Sequence, residues 1–167
     1  MDTIRVLDIM PGTTVDGPGL RTSIYVAGCK HHCKGCHNPQ SWDFDGGVPM
    51  TIDEIMARVK EEDFNVTLSG GDPLWQVEKI LPLAKAVKEA GYTLWCYTGF
   101  TWEEIIASER LSAVLPWVDV IVEGHFVEEL RDVTLRFRGS SNQRIIDVPK
   151  SLNLIETGAG AVELWGD

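Results

Sequence analysis

The chain has 167 residues, 44% hydrophobic and 24% charged, enough apolar surface for one domain with a real core, which excludes disorder as the main reading. Its formal net charge of -10 excludes a general hold on nucleic acid or on an anionic membrane, because both are bound mainly by lysine and arginine neutralising phosphates. No run of about twenty apolar residues and no leader or lipidation signal is legible, so a cytoplasmic protein is expected, with no nucleic acid and no membrane among its partners.

Stretches rich in branched residues, read as strands, recur at residues 4–9, 22–27, 66–68, 93–97, 118–122 and 144–148, and helical patterns fill most of the intervals. The first helix begins after Thr51, where Thr51 and Glu54 make a capping box ahead of an apolar stripe of Ile52, Ile55, Met56 and Val59, and should end near Glu62. The second follows Pro73, with Val77, Ile80, Leu81, Ala84 and Val87 on one side and Gly91 placed to stop it. Thr101 and Glu104 repeat the capping pattern before a shorter helix through Ile105 and Ile106. Strand, helix, strand with short connections implies parallel neighbours. Periodicity leaves open whether they form a doubly wound layer or an incomplete barrel, but in either case ligands gather at the carboxyl ends of the strands. The chemistry-bearing residues fall there: Cys29 after one strand, Ser69-Gly70-Gly71-Asp72 after the next, Thr98-Gly99 after a third and Glu123-Gly124 after a fourth.

Cys29, Cys33 and Cys36 make the spacing C-x3-C-x2-C. Three thiolates can hold three irons of a cubane cluster and leave the fourth iron open to bind a small molecule, whereas a cluster with four cysteines normally only passes electrons. The interleaved His31 and His32 and the following His37 also allow a structural zinc site, although zinc usually takes paired C-x2-C knuckles and no second pair exists. Cys96 stands alone in an apolar strand pattern and reads as a buried small hydrophobe, and four cysteines without a leader do not suggest a disulfide framework. His31 and His32 read as exposed loop residues. The glycines of Ser69-Gly70-Gly71-Asp72-Pro73 let the backbone turn sharply and approach a ligand, and Asp72 offers an acceptor for an ammonium group; alone, the segment is a turn. Arg131, Arg136, Arg138 and Arg144 form a basic patch able to hold a carboxylate or phosphate, or simply a solvated face.

Taken together, the cysteine triplet and the glycine-glycine-acid segment resemble the radical S-adenosylmethionine superfamily. There C-x3-C-x2-C holds a 4Fe-4S cluster, and the second segment contacts the methionine amino group. Val15-Asp16-Gly17-Pro18-Gly19-Leu20-Arg21 is similar to the segment that precedes the cluster in glycyl-radical activating enzymes. Gly35-Cys36-His37-Asn38, residues 69–74 and Arg138-Gly139-Ser140-Ser141-Asn142-Gln143 resemble the branch of that family acting on anaerobic ribonucleoside-triphosphate reductase. Gly35 stands where many superfamily members carry an aromatic residue, which leaves His37 or backbone to meet the adenine. Glu123 stands where that branch suggests aspartate.

The resemblance implies one 4Fe-4S cluster held by Cys29, Cys33 and Cys36, with S-adenosylmethionine contacted by Gly70, Gly71, Asp72 and the segment Gly35, Cys36 and His37. Asn142 and Arg138 would stand near its carboxylate or ribose. It implies reductive cleavage to a 5′-deoxyadenosyl radical, and a glycyl radical made on a glycine-bearing loop of the anaerobic (class III) reductase, with electrons from a low-potential donor such as flavodoxin. No further side chain is expected as catalytic acid or base. The expected fold is α/β: a single domain forming an incomplete, TIM-like β/α barrel with mostly parallel strands, over residues 1–150, followed by a C-terminal appendage, 151–167, of unknown role. Two other functions stay open, a radical S-adenosylmethionine enzyme acting on a small molecule and a zinc-bound interaction module.

Overall fold

Alternating residues of seven strands make the two faces of a single sheet, and the helices cover only one of those faces. The computed structural model describes residues 2–36, 39–158 and 162–166. The strands are β1 (Thr3–Thr13), β2 (Arg21–Val26), β3 (Val48–Thr51), β4 (Asn65–Gly70), β5 (Leu94–Tyr97), β6 (Val120–Glu123) and β7 (Arg144–Asp147). They lie in the order β3-β1-β2-β4-β5-β6-β7. At the centre, β2, β4, β5 and β6 run parallel, as the strand-helix-strand pattern requires. The flanks are antiparallel: β1 to β2, β3 to β1, and β7 to β6. Among the described residues no pairing joins β3 to β7, so the sheet is open.

The helices are α1 (Ile52–Glu62), α2 (Val77–Glu89), α3 (Trp102–Ile106), α4 (Glu109–Ser112) and α5 (Val148–Glu156). Both expected capping boxes form, with Thr51 and Thr101 hydroxyls accepting from the Glu54 and Glu104 amides while each glutamate bonds back. Pro73 opens a 3-10 turn, Pro73–Gln76, capped by Asp72, and α2 proper starts only at Val77. Ile55, Met56 and Val59 of α1 and Ile80, Leu83, Ala84 and Val87 of α2 pack on Ile24, Val66, Leu68, Leu94, Cys96, Ile121 and Ile146 from the covered face. Each fully buried valine, leucine or isoleucine among them contributes about 2 kcal/mol.

Beyond a longer β1 and the unread α4, two departures from the sequence reading fall at the edges of the sheet. The β3 strand is short and carries Pro49, which an edge strand tolerates but which hides it from a periodicity reading. At the other end, β7 stops at Asp147 because the Asp147 carboxylate caps α5 by accepting from Lys150 N at 3.0 Å. The boundary drawn at 150/151 therefore falls inside a helix. Leu164 bridges Ile146 in antiparallel fashion, which ties residues from the far side of that boundary to the sheet.

Candidate metal and cofactor site

The loop that carries the cysteines leaves β2 and is pinned on two sides by backbone hydrogen bonds. Gly28 N donates to Ser41 O at 2.7 Å and Cys29 N to Trp42 O at 3.2 Å, while Gly71 N donates to Val26 O at 2.8 Å and Asp72 N to Gly28 O at 2.9 Å. This close pairing explains both glycines of the Ser69-Gly70-Gly71-Asp72 turn. A Cβ on Gly70, whose φ is +109°, would lie 2.4 Å from the Val26 backbone, and one on Gly71 would lie 2.6 Å from Gly28 O. The turn after β4 and the loop after β2 are thus one packed unit.

Cys29, Cys33 and Cys36 line a single cavity of about 490 Å3 together with Gly70, Gly71 and Asp72. Burial pushes the Cys29 thiol up to about 11 and also raises Cys33. Cys33 Sγ lies 3.7 Å from His125 Nδ1. Cys96 alternates onto the other face of β5, fully buried among the helices, and burial raises its pKa strongly. Among the described residues no three histidine, cysteine, aspartate or glutamate side chains converge on a single-ion position. A cubane instead puts each cysteine sulfur on its own iron, so its ligands need not meet at one point.

Asp72 is more engaged than its place in the sequence suggests. It is 2% exposed. Its Oδ1 accepts from Leu74 N at 2.9 Å, and its Oδ2 accepts from Thr98 Oγ1 at 2.9 Å and Gly99 N at 2.8 Å and lies 2.6 Å from His31 Nε2. The carboxylate therefore ties the ends of β4 and β5 to the cysteine loop. His31, expected to be exposed, has a side chain only 6% exposed, enclosed by Trp75, Phe100 and His125 at ring separations of 5.2, 4.6 and 4.6 Å.

The remaining candidates divide. Arg138 lines the cavity and donates to Gln143 O at 2.6 Å. Asn142 is exposed, outside that lining, and its amide donates to His125 O at 2.8 Å; its neighbour Gln143 lines the cavity instead. Gly35, with φ +76°, is exposed, and a Cβ there would meet Glu128 at 2.9 Å. His37 lies outside the described residues. The arginine patch splits: Arg131 and Arg138 both line the cavity, whereas Arg144 turns to Glu103 and to Glu123 and Arg136 lies over the Phe137 ring. Glu123, 1% exposed, accepts from Trp102 N at 2.6 Å and pairs with Arg144, which fixes β6 to α3. Sequence reasoning missed Asp16, Tyr97 and Phe137 as cavity residues. The alternation of β5, which turns Tyr97 to the face opposite Cys96, was the signal available for Tyr97.

An open α/β sheet that gathers three thiols beside a glycine turn defines a class, and residues 15–146 match the family model described as a 4Fe-4S single cluster domain. The chain is 38% identical over 156 residues to the anaerobic ribonucleoside-triphosphate reductase-activating protein of Haemophilus influenzae, covering 85% of this chain and 97% of the relative. The protein of that name from Escherichia coli K12 is 37% identical over 145 residues, 80% of this chain and 92% of the relative, and that of Enterobacteria phage T4 is 35% identical over 145 residues, 82% and 90%. The chain belongs to the family of anaerobic ribonucleoside-triphosphate reductase-activating proteins. Among solved structures, QueE from Escherichia coli shares the fold over 59% of this chain and 54% of its own, with a TM-score of 0.51 at 15% identity. No helix among the described residues is long and apolar enough to cross a membrane.

Proposed function

We propose that this chain is an activase that generates a glycyl radical on anaerobic (class III) ribonucleotide reductase, using one 4Fe-4S cluster held by Cys29, Cys33 and Cys36 together with S-adenosylmethionine. The observation that carries this reading is the sorting of the cysteines: three thiols line one cavity with the glycine turn, and the fourth is buried on the opposite face. The donor set fits a cluster with one iron left without a cysteine, and a cavity of about 490 Å3 lies within the roughly 300–1,000 Å3 usual for small-ligand sites. Held by Cys29, Cys33 and Cys36, the cluster would pass one electron from an outside low-potential donor to the sulfonium of S-adenosylmethionine, which would release methionine and leave a 5′-deoxyadenosyl group able to take a hydrogen atom from the partner's glycine.

The chain's own part is to hold and enclose. Gly70 and Gly71 bring backbone, rather than side chains, up to the cysteine loop, and Asp72 fixes the ends of β4 and β5 around it. Asp72 Oδ2 is filled by Thr98, Gly99 and His31 while Oδ1 accepts only from Leu74 N, so a contribution to the cofactor's ammonium group runs through Oδ1 or takes the place of His31 Nε2. Arg138 is the cationic candidate for the cofactor's carboxylate; Gly35, Cys36 and His37 border the cluster by sequence, and Asn142 supports that rim through the His125 carbonyl. The open sheet is read as a partial TIM-like barrel. A low-potential donor such as flavodoxin and a cytoplasmic, reducing setting belong to the same reading.

Anaerobic reconstitution tests it. The loaded protein should be brown, bleach with dithionite, contain about four irons and four sulfides per chain, and release 5′-deoxyadenosine when reduced with S-adenosylmethionine. A colourless protein holding about one zinc would support the interaction module instead. Cofactor cleavage that couples to a metabolite and never to the reductase would support the small-molecule enzyme.

A further inference from the structure

Residues 162–166 lie along β7 as an added edge: Asp147 N donates to Glu163 O at 2.9 Å and Trp165 N to Ile145 O at 2.8 Å. The Ser151 hydroxyl of α5 fixes the same segment by accepting from Glu163 N at 2.9 Å. This register delivers Trp165 to the sheet face that the helices leave bare. Its ring stands T-shaped to Trp95 at 4.9 Å and to Phe137 at 6.2 Å, and Trp95 and Phe137 are themselves 5.5 Å apart.

Phe137 is the informative member of this trio. Its φ of +64° is a backbone state that a bulky side chain rarely adopts, so the surroundings must hold it. They do so through the Tyr97 hydroxyl, which donates to Phe137 O at 2.6 Å, through the Arg136 guanidinium 4.6 Å from the ring, and through the two tryptophans. Phe137 also belongs to a shared wall. Val15, Leu135 and Phe137 line both the cysteine cavity and a neighbouring cavity of about 390 Å3 formed with Thr14, Gly17 and Gly19.

We propose that Trp165 is a positioning residue for this wall: wedged against Trp95 and Phe137, it holds the 131–138 loop in the arrangement that sets the opening through which a protein partner reaches the cysteines. The second half of this statement rests on the function proposed above; the first half does not.

Limited trypsin digestion followed by mass spectrometry tests the first half, because Arg131, Arg136 and Arg138 lie in the loop. In Trp165→Ala, cleavage there should rise about tenfold, since proteolysis follows the population of the open loop and two ring contacts are lost. Cleavage at Lys60 on α1 should not change, and Trp165→Phe should restore protection to within about twofold. Unchanged cleavage at the three arginines, or an equal rise at Lys60, overturns the proposal. For the second half, with S-adenosylmethionine saturating, the KM for the reductase should rise about tenfold in Trp165→Ala, well beyond any loss of 5′-deoxyadenosine release without the reductase, which shares Arg138 of the same loop. A loss of reductase-independent release as large as the rise in KM, or an unchanged KM, overturns it. Should the parent protein release no 5′-deoxyadenosine, the proposed function fails, and the proteolysis still decides what Trp165 holds.

Discussion

Thr67 and Leu68 are neighbours on β4, both fully buried, and they belong to two different regions of the molecule. Leu68 faces the helices, in a core built almost wholly from aliphatic side chains. Thr67 faces the bare side of the sheet, where Arg21, 2% exposed, donates to the Thr67 hydroxyl at 2.9 Å and to Val66 O at 2.8 Å and lies 5.6 Å from the Trp95 ring. Desolvation pulls the Arg21 guanidinium down to about 10. On the same face Asp16 accepts from Ser23 at 3.0 Å and from Tyr25 at 2.5 Å. The covered face is held by area and close packing; the bare face adds to the packing of Trp95, Phe137 and Trp165 a set of particular buried hydrogen bonds, each costly to leave unmade. That difference suits the bare face to hold ligand-facing groups in fixed positions.

The largest effect should come from the site. Cys33→Ala is expected to abolish the glycyl radical and lower iron content, while unfolding of the metal-free chain shifts by less than about 1 kcal/mol, because Cys33 lies in a loop outside both packed clusters. Electron paramagnetic resonance and denaturant melts check the two halves, and a variant that still forms the radical would remove Cys33 from the ligand set. Leu68→Ala should do the opposite, costing about 3 kcal/mol of stability through the cavity it opens. Iron content and cofactor cleavage per folded chain should stay unchanged; a loss of cleavage out of proportion to unfolding would mean that the two faces are not separable.

Asp72→Asn sharpens the comparison, because Asp72 serves both regions. Exchanging one acceptor oxygen for a donor facing Thr98 Oγ1 and Gly99 N should cost about 2 kcal/mol and weaken S-adenosylmethionine binding as well. Calorimetry of folding and of binding separates the effects, and full stability with lost binding would make Asp72 a pure ligand group. The smallest effect is expected at Thr22, whose hydroxyl is buried on the helix side and finds no hydrogen-bond partner among the described residues. Thr22→Val should raise stability by about 1 kcal/mol in a urea titration and leave the site untouched; a drop would show that the hydroxyl is satisfied in solution.

Much of this was legible in the sequence because it is local. The capping boxes at Thr51 and Thr101, the glycine turn after β4 and the cysteine spacing each depend on residues a few positions apart. The parts that stayed hidden depend on distant pairs. Nothing near Asp72 announces that Thr98, Gly99 and His31 converge on its carboxylate, and nothing near Asn142 says that its side chain turns to the His125 carbonyl while Gln143 faces the cavity. The added strand at 162–166 was invisible for the same reason: it is defined by its pairing with β7, over a stretch too short for periodicity to register.

The central claim is that three thiols at one end of the sheet serve a reaction completed on another protein. Its most direct test is electron paramagnetic resonance of the reconstituted, reduced protein mixed with S-adenosylmethionine and the anaerobic reductase. A carbon-radical doublet, split by a single α-hydrogen and lost when the target glycine of the reductase is replaced by alanine, is the predicted result. A fully loaded protein that cleaves S-adenosylmethionine yet leaves the reductase without that doublet would contradict the account.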